Sequence, residues 1–259
     1  LAQVAPPAID PEKDLPRFPA VEPADAVKTF QIKPGFKLEL VASEPLVVDP
    51  IAMAFDENGR LYVIEMRDYS ERRDERLGRV KLLEDTDGDG RFDKATVYVE
   101  GLPWPTAIIC YDGGVFVGST PDIFYFKDTN GDGHADMRRL IYTGFGNTKS
   151  RLNVQALLNS FNWGLDNRIH GLTAPNGGIV TNMVRTGDKP LNLDNRNFSF
   201  DPRTFEMRPE SGGGQYGMSF DNRGRKFSSS NSEHLMAWMY EGRYADRNPY
   251  YNMPRSLVS

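Results

Sequence analysis

A single cysteine, Cys110, stands in the 259 residues, so no internal disulfide can form and no Cys-x-x-Cys-His haem attachment is encoded. It lies in an apolar run, residues 106–111, with no histidine near it in sequence, which predicts a buried structural thiol and not a nucleophile. Histidine is nearly as scarce, with His134, His170 and His234 making up the total. No apolar stretch approaches the ~20 residues that a membrane-crossing helix needs, and no basic-then-apolar leader is visible. Lys and Arg total 31 against 36 for Asp and Glu, a formal net charge of -5, and the basic residues are scattered, which argues against nucleic acid as a partner.

What is present points to β structure. Residues 1–30 read as an extended N-terminal arm, rich in Pro, Asp and Glu to about residue 23 and then a short helix over 23–30. The opening, Leu1-Ala2-Gln3-Val4-Ala5-Pro6-Pro7, reads as a mature end left after signal removal, hence a periplasmic or extracellular location. Residues 36–42 alternate apolar and polar side chains, the period of a half-buried strand.

From there one hairpin repeats. Segments 51–63, 107–117, 161–170 and 216–227 each run from an apolar strand through an Asp-containing turn to a second strand. Aligning them on Asp56, Asp112, Asp166 and Asp221 leaves near-constant intervals, each with room for four short strands, and Asp or Asn with Gly supplies the positive φ that tight hairpins need. A four-stranded antiparallel unit repeated at this spacing is a propeller blade, whereas a sandwich would not repeat one hairpin four times. The expected fold is therefore an all-β propeller over 31–259 with about four blades present. Either it is part of a larger propeller, or residues 36–42 complete a small closed ring.

Two loops carry metal chemistry. Asp85-Thr86-Asp87-Gly88-Asp89-Gly90-Arg91-Phe92-Asp93 and Asp128-Thr129-Asn130-Gly131-Asp132-Gly133-His134-Ala135-Asp136 place oxygens at positions 1, 3, 5 and 9, a backbone carbonyl at 7 and a turn-permitting Gly at 6, the spacing of a Ca2+ loop. The expected ligands are Asp85, Asp87, Asp89, the Arg91 carbonyl and Asp93, and Asp128, Asn130, Asp132, the His134 carbonyl and Asp136. Position 12 is Thr96 or Arg139, so the bidentate Glu of a helical EF-hand is missing and the loops look like those of integrin-type propeller blades. A structural role is expected, with the His134 side chain turned to solvent.

Pro34-Gly35-Phe36, Ala42-Ser43-Glu44-Pro45-Leu46, Asp49-Pro50-Ile51-Ala52, Glu65-Met66-Arg67-Asp68-Tyr69, Trp163-Gly164-Leu165-Asp166, Asn231-Ser232-Glu233-His234 and Asn248-Pro249-Tyr250 together resemble the N-terminal propeller of a bacterial membrane-bound dehydrogenase family. That family is similar in fold to soluble quinoprotein glucose and sorbosone dehydrogenases, and its longer members add a cytochrome c domain. The resemblance implies oxidation of a small sugar or alcohol through pyrroloquinoline quinone, with haem held by a separate domain or partner. It also implies a base histidine at the start of an inner strand, and the best-matching stretch, residues 153–159, contains none.

The remaining candidates each have a plain alternative. His170 ends a strand, where core packing competes with catalysis, and His234 lies beside Glu233, where a surface turn competes with an acid–base pair. Glu65, Arg67 and Asp68 follow one strand, while Arg151 and Gln155 precede another. Such groups suit the clamping of a carboxylate-bearing cofactor or sugar, or equally a salt-bridged loop. Residues 67–79 read as a solvated excursion, and residues 211–214, Ser-Gly-Gly-Gly, as a plain connection with no helix behind it to hold phosphate. A non-catalytic module that engages a protein or glycan is the reading of a different class.

Overall fold

In a computed structural model the four repeated hairpins are the first hairpins of four antiparallel sheets. Residues 10, 13, 15, 17–245, 247, 248 and 250–259 are described; the expected mature end at 1–7, and Pro249, lie outside them. Helix α1 (Pro23–Ala26) and a 3-10 turn (Val27–Thr29) occupy the predicted helical stretch.

Sheet 1 holds β1 (Pro50–Phe55), β2 (Leu61–Glu65), β3 (Gly78–Glu84) and β4 (Lys94–Leu102) in sequence order. Sheet 2 begins the same way with β5 (Pro105–Tyr111), β6 (Gly114–Ser119), β7 (Asp122–Lys127) and β8 (Met137–Phe145). In sheet 3, β9 (Asn159–Trp163) and β10 (Ile169–Leu172) are followed by an excursion before β13 (Asn197–Phe200) and β14 (Met207–Glu210) complete the order. That excursion carries β11 (Gly178–Asn182) and β12 (Leu191–Asn192), which add to the outer edge of sheet 2 through β8. Sheet 4 contains β15 (Tyr216–Phe220), β16 (Lys226–Ser229), β17 (Met236–Trp238) and β18 (Leu257–Val258), with the short helix α2 (Gly242–Ala245) before its last strand.

Turn chemistry follows residue choice. Asp56 accepts from the backbone N–H groups of Asn58 and Arg60, and Asp221 from those of Arg223 and Arg225, both at 2.9 Å. In sheet 2 the turn shrinks to Asp112-Gly113, both at positive φ, which matches the twist of the flanking strands. In sheet 3 the backbone bonds that surround Asp56 and Asp221 surround Gly164 instead: its N–H meets the Arg168 carbonyl at 2.9 Å. The repeat is therefore one of turns, and Asp166, first aligned with Asp56, stands two residues beyond Gly164, which matches Asp56 in the structure.

The first strands lie side by side, β1 against β5, β5 against β9, and β9 against β15, so each sheet faces the next across a packed layer. Sheets 1 and 2 bury Tyr62, Ile64, Leu82, Ile108, Val115 and Val117 between them. Sheets 2 and 3 bury a larger aromatic layer that includes Phe116, Tyr142, Phe161, Phe198 and Phe200. Sheet 3 meets sheet 4 through only a small apolar cluster of Leu172, Met218, Met236, Trp238 and Leu257. Side-chain bonds supplement it, with Ser160 Oγ accepting from the Gly217 and Met218 N–H groups and Asn162 donating to the Met218 carbonyl.

One expectation is corrected. Residues 36–42 form no strand and close no ring; Phe36 and Val41 are exposed, and the Val41 carbonyl is held by the Phe92 N–H at 2.8 Å. Alternation there is real but lacks a ladder partner among the described residues. Sheet 4 ends in β18, too short to show a period in the sequence. Cys110 is half-buried, and burial pushes its thiol up to about 12, as expected of a packing residue.

Phe200, fully buried, lies 5.1 Å from the Phe116 ring and 5.4 Å from that of Tyr142 across the layer between sheets 2 and 3. Phe200→Ala is expected to cost about 3–5 kcal/mol, read as a lower urea midpoint with an unchanged slope.

Candidate metal loops and rim cleft

Antiparallel order sorts the connections to two ends of the sheets. The β1–β2 and β3–β4 types of turn share one end, and the β2–β3 type shares the other with the links into each next sheet. Both acidic loops lie at the first end and join third to fourth strands: Glu84 pairs with Lys94 before the first, and Lys127 with Met137 before the second.

Their skeletons share six equivalent bonds, and the second loop adds two at Asn130. Asp85 accepts from the N–H groups of Gly88 (2.7 Å) and Gly90 (2.9 Å), and Asp128 from those of Gly131 (2.6 Å) and Gly133 (2.8 Å). Position 3, Asp87 or Asn130, accepts from the N–H of position 5, and Asp89 or Asp132 from that of position 7. Asp93 takes both the N–H and the hydroxyl of Thr86 (3.1 and 2.6 Å), as Asp136 does from Thr129 (2.9 and 2.6 Å). Gly90 and Gly133 adopt φ of 89° and 86°, which is why glycine is needed at position 6.

These bonds favour the ionised form of Asp85, Asp93, Asp128 and Asp136. The Gly90 N–H holds Asp85 below the usual carboxylate range, and the Thr86 and Thr129 hydroxyls do so for Asp93 and Asp136. For Asp128 burial acts upward, but the N–H groups of Gly133 and Gly131 outweigh it. Carboxylate oxygens of Asp85, Asp87 and Asp89 lie within 4.8 Å of one another, each with lone pairs to spare. Three hard oxygens at that separation fit a hard cation such as Ca2+.

The second loop also ties sheet 2 to sheet 1. The Ala135 N–H donates to the Tyr98 carbonyl at 2.8 Å, the Asp128 N–H to the Tyr98 hydroxyl at 3.0 Å, and His134 Nδ1 bonds the Val97 carbonyl at 2.8 Å. The His134 ring is exposed, as expected, and is also anchored to β4. A carbonyl partner fixes Nδ1 as the protonated nitrogen.

The opposite end carries a cleft of about 570 Å³ lined by residues that include Arg73, Trp104, Arg151, Leu152 and Asn153, with Glu71 and Asp74. Arg151 faces Glu71 at 3.7 Å, both exposed. Arg73 donates to the Thr120 carbonyl at 2.9 Å and stacks over Trp104 at 5.6 Å. Asp68 is fully buried beside it: Oδ2 accepts from the Trp104 N–H at 3.0 Å, Oδ1 has no partner, and burial pushes the carboxyl upward. The Gln155 side chain donates to the Tyr69 hydroxyl at 3.2 Å, and its carbonyl accepts from Gln215.

The predicted rim groups Asp68, Arg151 and Gln155 therefore share one end, whereas Glu65 and Arg67 do not line the cleft. Glu65 is buried inside sheet 1, paired with Arg79 and near Lys81 at 3.8 Å. Arg67 is exposed. His234 sits in an exposed turn of sheet 4, closed by bonds of the Glu233 backbone with Ser230.

His170 belongs to the loop end, in β10, with Nε2 3.1 Å from Asp166 and its ring edge-on to Phe220. It opens onto a polar seam that no sequence period announced. Arg208 bridges Asp166 (2.8 Å) and Glu210 (3.0 Å), Arg243 reaches Glu210 (2.6 Å), and buried Lys226 meets Glu241 (2.6 Å). Spacing hides the Arg208–Asp166 and Arg243–Glu210 pairs because their partners come from different parts of the chain.

Among known proteins, residues 22–258 match the sequence family described as Domain of unknown function (DUF7133), and a search of curated proteins found no match. Similar solved structures include the PQQ domain of pyranose dehydrogenase from Coprinopsis cinerea, in holo form, at 12% identity and TM-score 0.46, covering 88% of this chain and 53% of that one. A luciferin-regenerating enzyme aligns at 9% identity and TM-score 0.45 over 75% of this chain and 57% of that one. A streptogramin B lyase aligns at 12% identity and TM-score 0.39 over 77% and 68%. The chain thus spans little more than half the length of the first two.

Burial would raise the Asp166 carboxyl, but the His170 hydrogen bond and charge, the Arg168 N–H and Arg208 hold it at about 2, down from 3.8. A folded-state pKa below the unfolded one gives stability that is present above about pH 4 and lost as pH falls toward 2. Asp166→Asn is expected to flatten acid denaturation, followed by circular dichroism, in that window.

Proposed function

The chain belongs to the DUF7133 family, and on that premise we propose that it is a Ca2+-stiffened β-propeller domain that works outside the cytoplasm and takes a small polar ligand at its rim cleft. The observation that carries this reading is the duplicated loop: residues 85–93 and 128–136 share one hydrogen-bond skeleton at equivalent places in sheets 1 and 2. Bound Ca2+ supplies positive charge where like-charged carboxylates converge. Asp85, Asp87 and Asp89, and in turn Asp128, Asn130 and Asp132, present the side-chain oxygens, while Thr86 and Thr129 clasp the loop ends. Such exposed sites suit the ~10⁻⁴–10⁻³ M affinities of extracellular modules, which supports an exported location, and no helix among the described residues is long and apolar enough to cross a membrane.

Four sheets in series, with adjacent first strands, support the propeller reading. Quinone-linked oxidation, with haem on a separate domain or partner, is supported by the sequence resemblance alone. The cleft does not fit a polyanionic quinone: Glu71 and Asp74 offset Arg73 and Arg151, and none of the three histidines lines it. Its mixed donors and acceptors beside Trp104 suit a neutral polyol such as a sugar better.

Calorimetric titration of chelator-stripped protein is expected to give two Ca2+ per chain, falling to one in Asp85→Asn and in Asp128→Asn. Saturating Ca2+ should raise Tm by about 5–10 °C. Absence of uptake would end the calcium reading. Titration with pyrroloquinoline quinone is expected to give no saturable heat; saturable uptake with sugar-dependent reduction would establish an oxidoreductase instead.

A further inference from the structure

The aromatic layer between sheets 2 and 3 does not end flush with the turns above it. At the end that carries the acidic loops it opens into a pocket of about 420 Å³, a size that suits a small molecule. Buried Phe116 lines it, with its ring 5.0 Å from that of Tyr125 and 5.9 Å from that of Tyr111. The Tyr125 hydroxyl is spent on the Tyr111 and Asp112 carbonyls, at 3.0 and 3.1 Å, so sheet 2 offers this space mainly ring surface. Phe205, in the β13–β14 turn, supplies a ring from sheet 3.

Backbone and charge both single out this place. Phe205 holds φ of 58°, the left-handed region where glycine is at home and a bulky side chain is strained. That conformation is locked: the Phe205 N–H donates to the Asp201 carbonyl at 2.8 Å, and its carbonyl accepts from the Tyr142 hydroxyl at 2.9 Å and the Asn182 side-chain amide at 2.6 Å. A large ring kept where glycine would relieve strain points to a use for the ring. Around it, Lys127 is matched by Asp112 at 3.5 Å and Arg203 by Asp201 at 3.0 Å, whereas exposed Arg139 has no acidic partner among the described residues. The Arg139 guanidinium lies over the Phe205 ring, 5.0 Å from its centroid, which leaves the N–H groups at its edge free to meet a carboxylate as a fork.

We infer that this pocket is a second binding site, at the opposite end of the sheets from the rim cleft, and that it takes an aromatic carboxylate. The ligand ring lies between Phe205 and the rings of sheet 2, and its carboxylate pairs with Arg139. A neutral sugar would leave that cation unmatched, and a bare inorganic anion would leave the aromatic walls unused. The inference needs neither the calcium reading nor the polyol reading of the rim cleft.

The test is titration of the protein, followed by calorimetry and saturation-transfer NMR, with benzoate and indole-3-carboxylate as probes, benzyl alcohol as the ring without the charge and acetate as the charge without the ring. At least one ring carboxylate is expected to bind saturably, about tenfold or more tighter than either control. Arg139→Gln should weaken it about tenfold, the loss of one charge-assisted pair, and leave benzyl alcohol unchanged. Phe205→Gly should weaken ring carboxylate and benzyl alcohol alike while keeping the circular dichroism of the parent, since glycine relieves the backbone at that φ. Arg138→Gln serves as the control, because that guanidinium covers Phe124 at 4.5 Å and does not line the pocket; affinity should stay within about threefold. No saturable uptake of either ring carboxylate, equal affinity for acetate, or an affinity that Arg139→Gln leaves unmoved or that Arg138→Gln lowers as much would each overturn the inference.

Discussion

An antiparallel sheet with an apolar layer on each face must be covered twice, and that constraint organises the molecule. The aromatic layer between sheets 2 and 3, centred on Phe116, Phe198 and Phe200, is its fullest expression, and burial of this kind is the dominant favourable contribution to folding. Where apolar layers thin out, between sheets 3 and 4, ion pairs and side-chain-to-backbone bonds fill the seam. Buried Lys226 and Glu210 are tolerable there because each has a charged partner within hydrogen-bonding distance.

Stacking sheets fixes which connections converge. It sends both acidic loops to one end, where the second reaches across to β4, and gathers Asp68, Arg73, Trp104 and Arg151 at the other. The acidic loops and the cleft are thereby separated along the strand axis. A cation held in the second loop would strengthen the contact of sheet 2 with Tyr98 and Val97 while leaving the cleft open.

Much of this was legible in sequence because it depends on local chemistry. Asp-Gly at 112–113 and the alternating Asp, Asn and Gly of both loops have few other uses, so hairpins and loops fell where spacing put them. What depends on distant partners was not legible. Asp166 took the register of Asp56 on paper, but Gly164 holds it in space, since an Asp-rich turn admits two alignments and only backbone bonds choose. Residues 36–42 alternate as a strand does yet lack a ladder, and β11–β12 joined sheet 2 from the middle of sheet 3. Of the candidate rim groups, Asp68, Arg151 and Gln155 came together, whereas Glu65 was drawn into an ion pair with Arg79 because burial demands a counter-charge.

The most direct test of the account is a crystal structure grown with Ca2+ and measured for anomalous scattering. Two peaks are predicted, one in each loop, ringed by oxygens at about 2.3–2.6 Å and related by the rotation that carries sheet 1 onto sheet 2. Loops without peaks at millimolar Ca2+, or a peak in only one of two loops with equivalent skeletons, would contradict it.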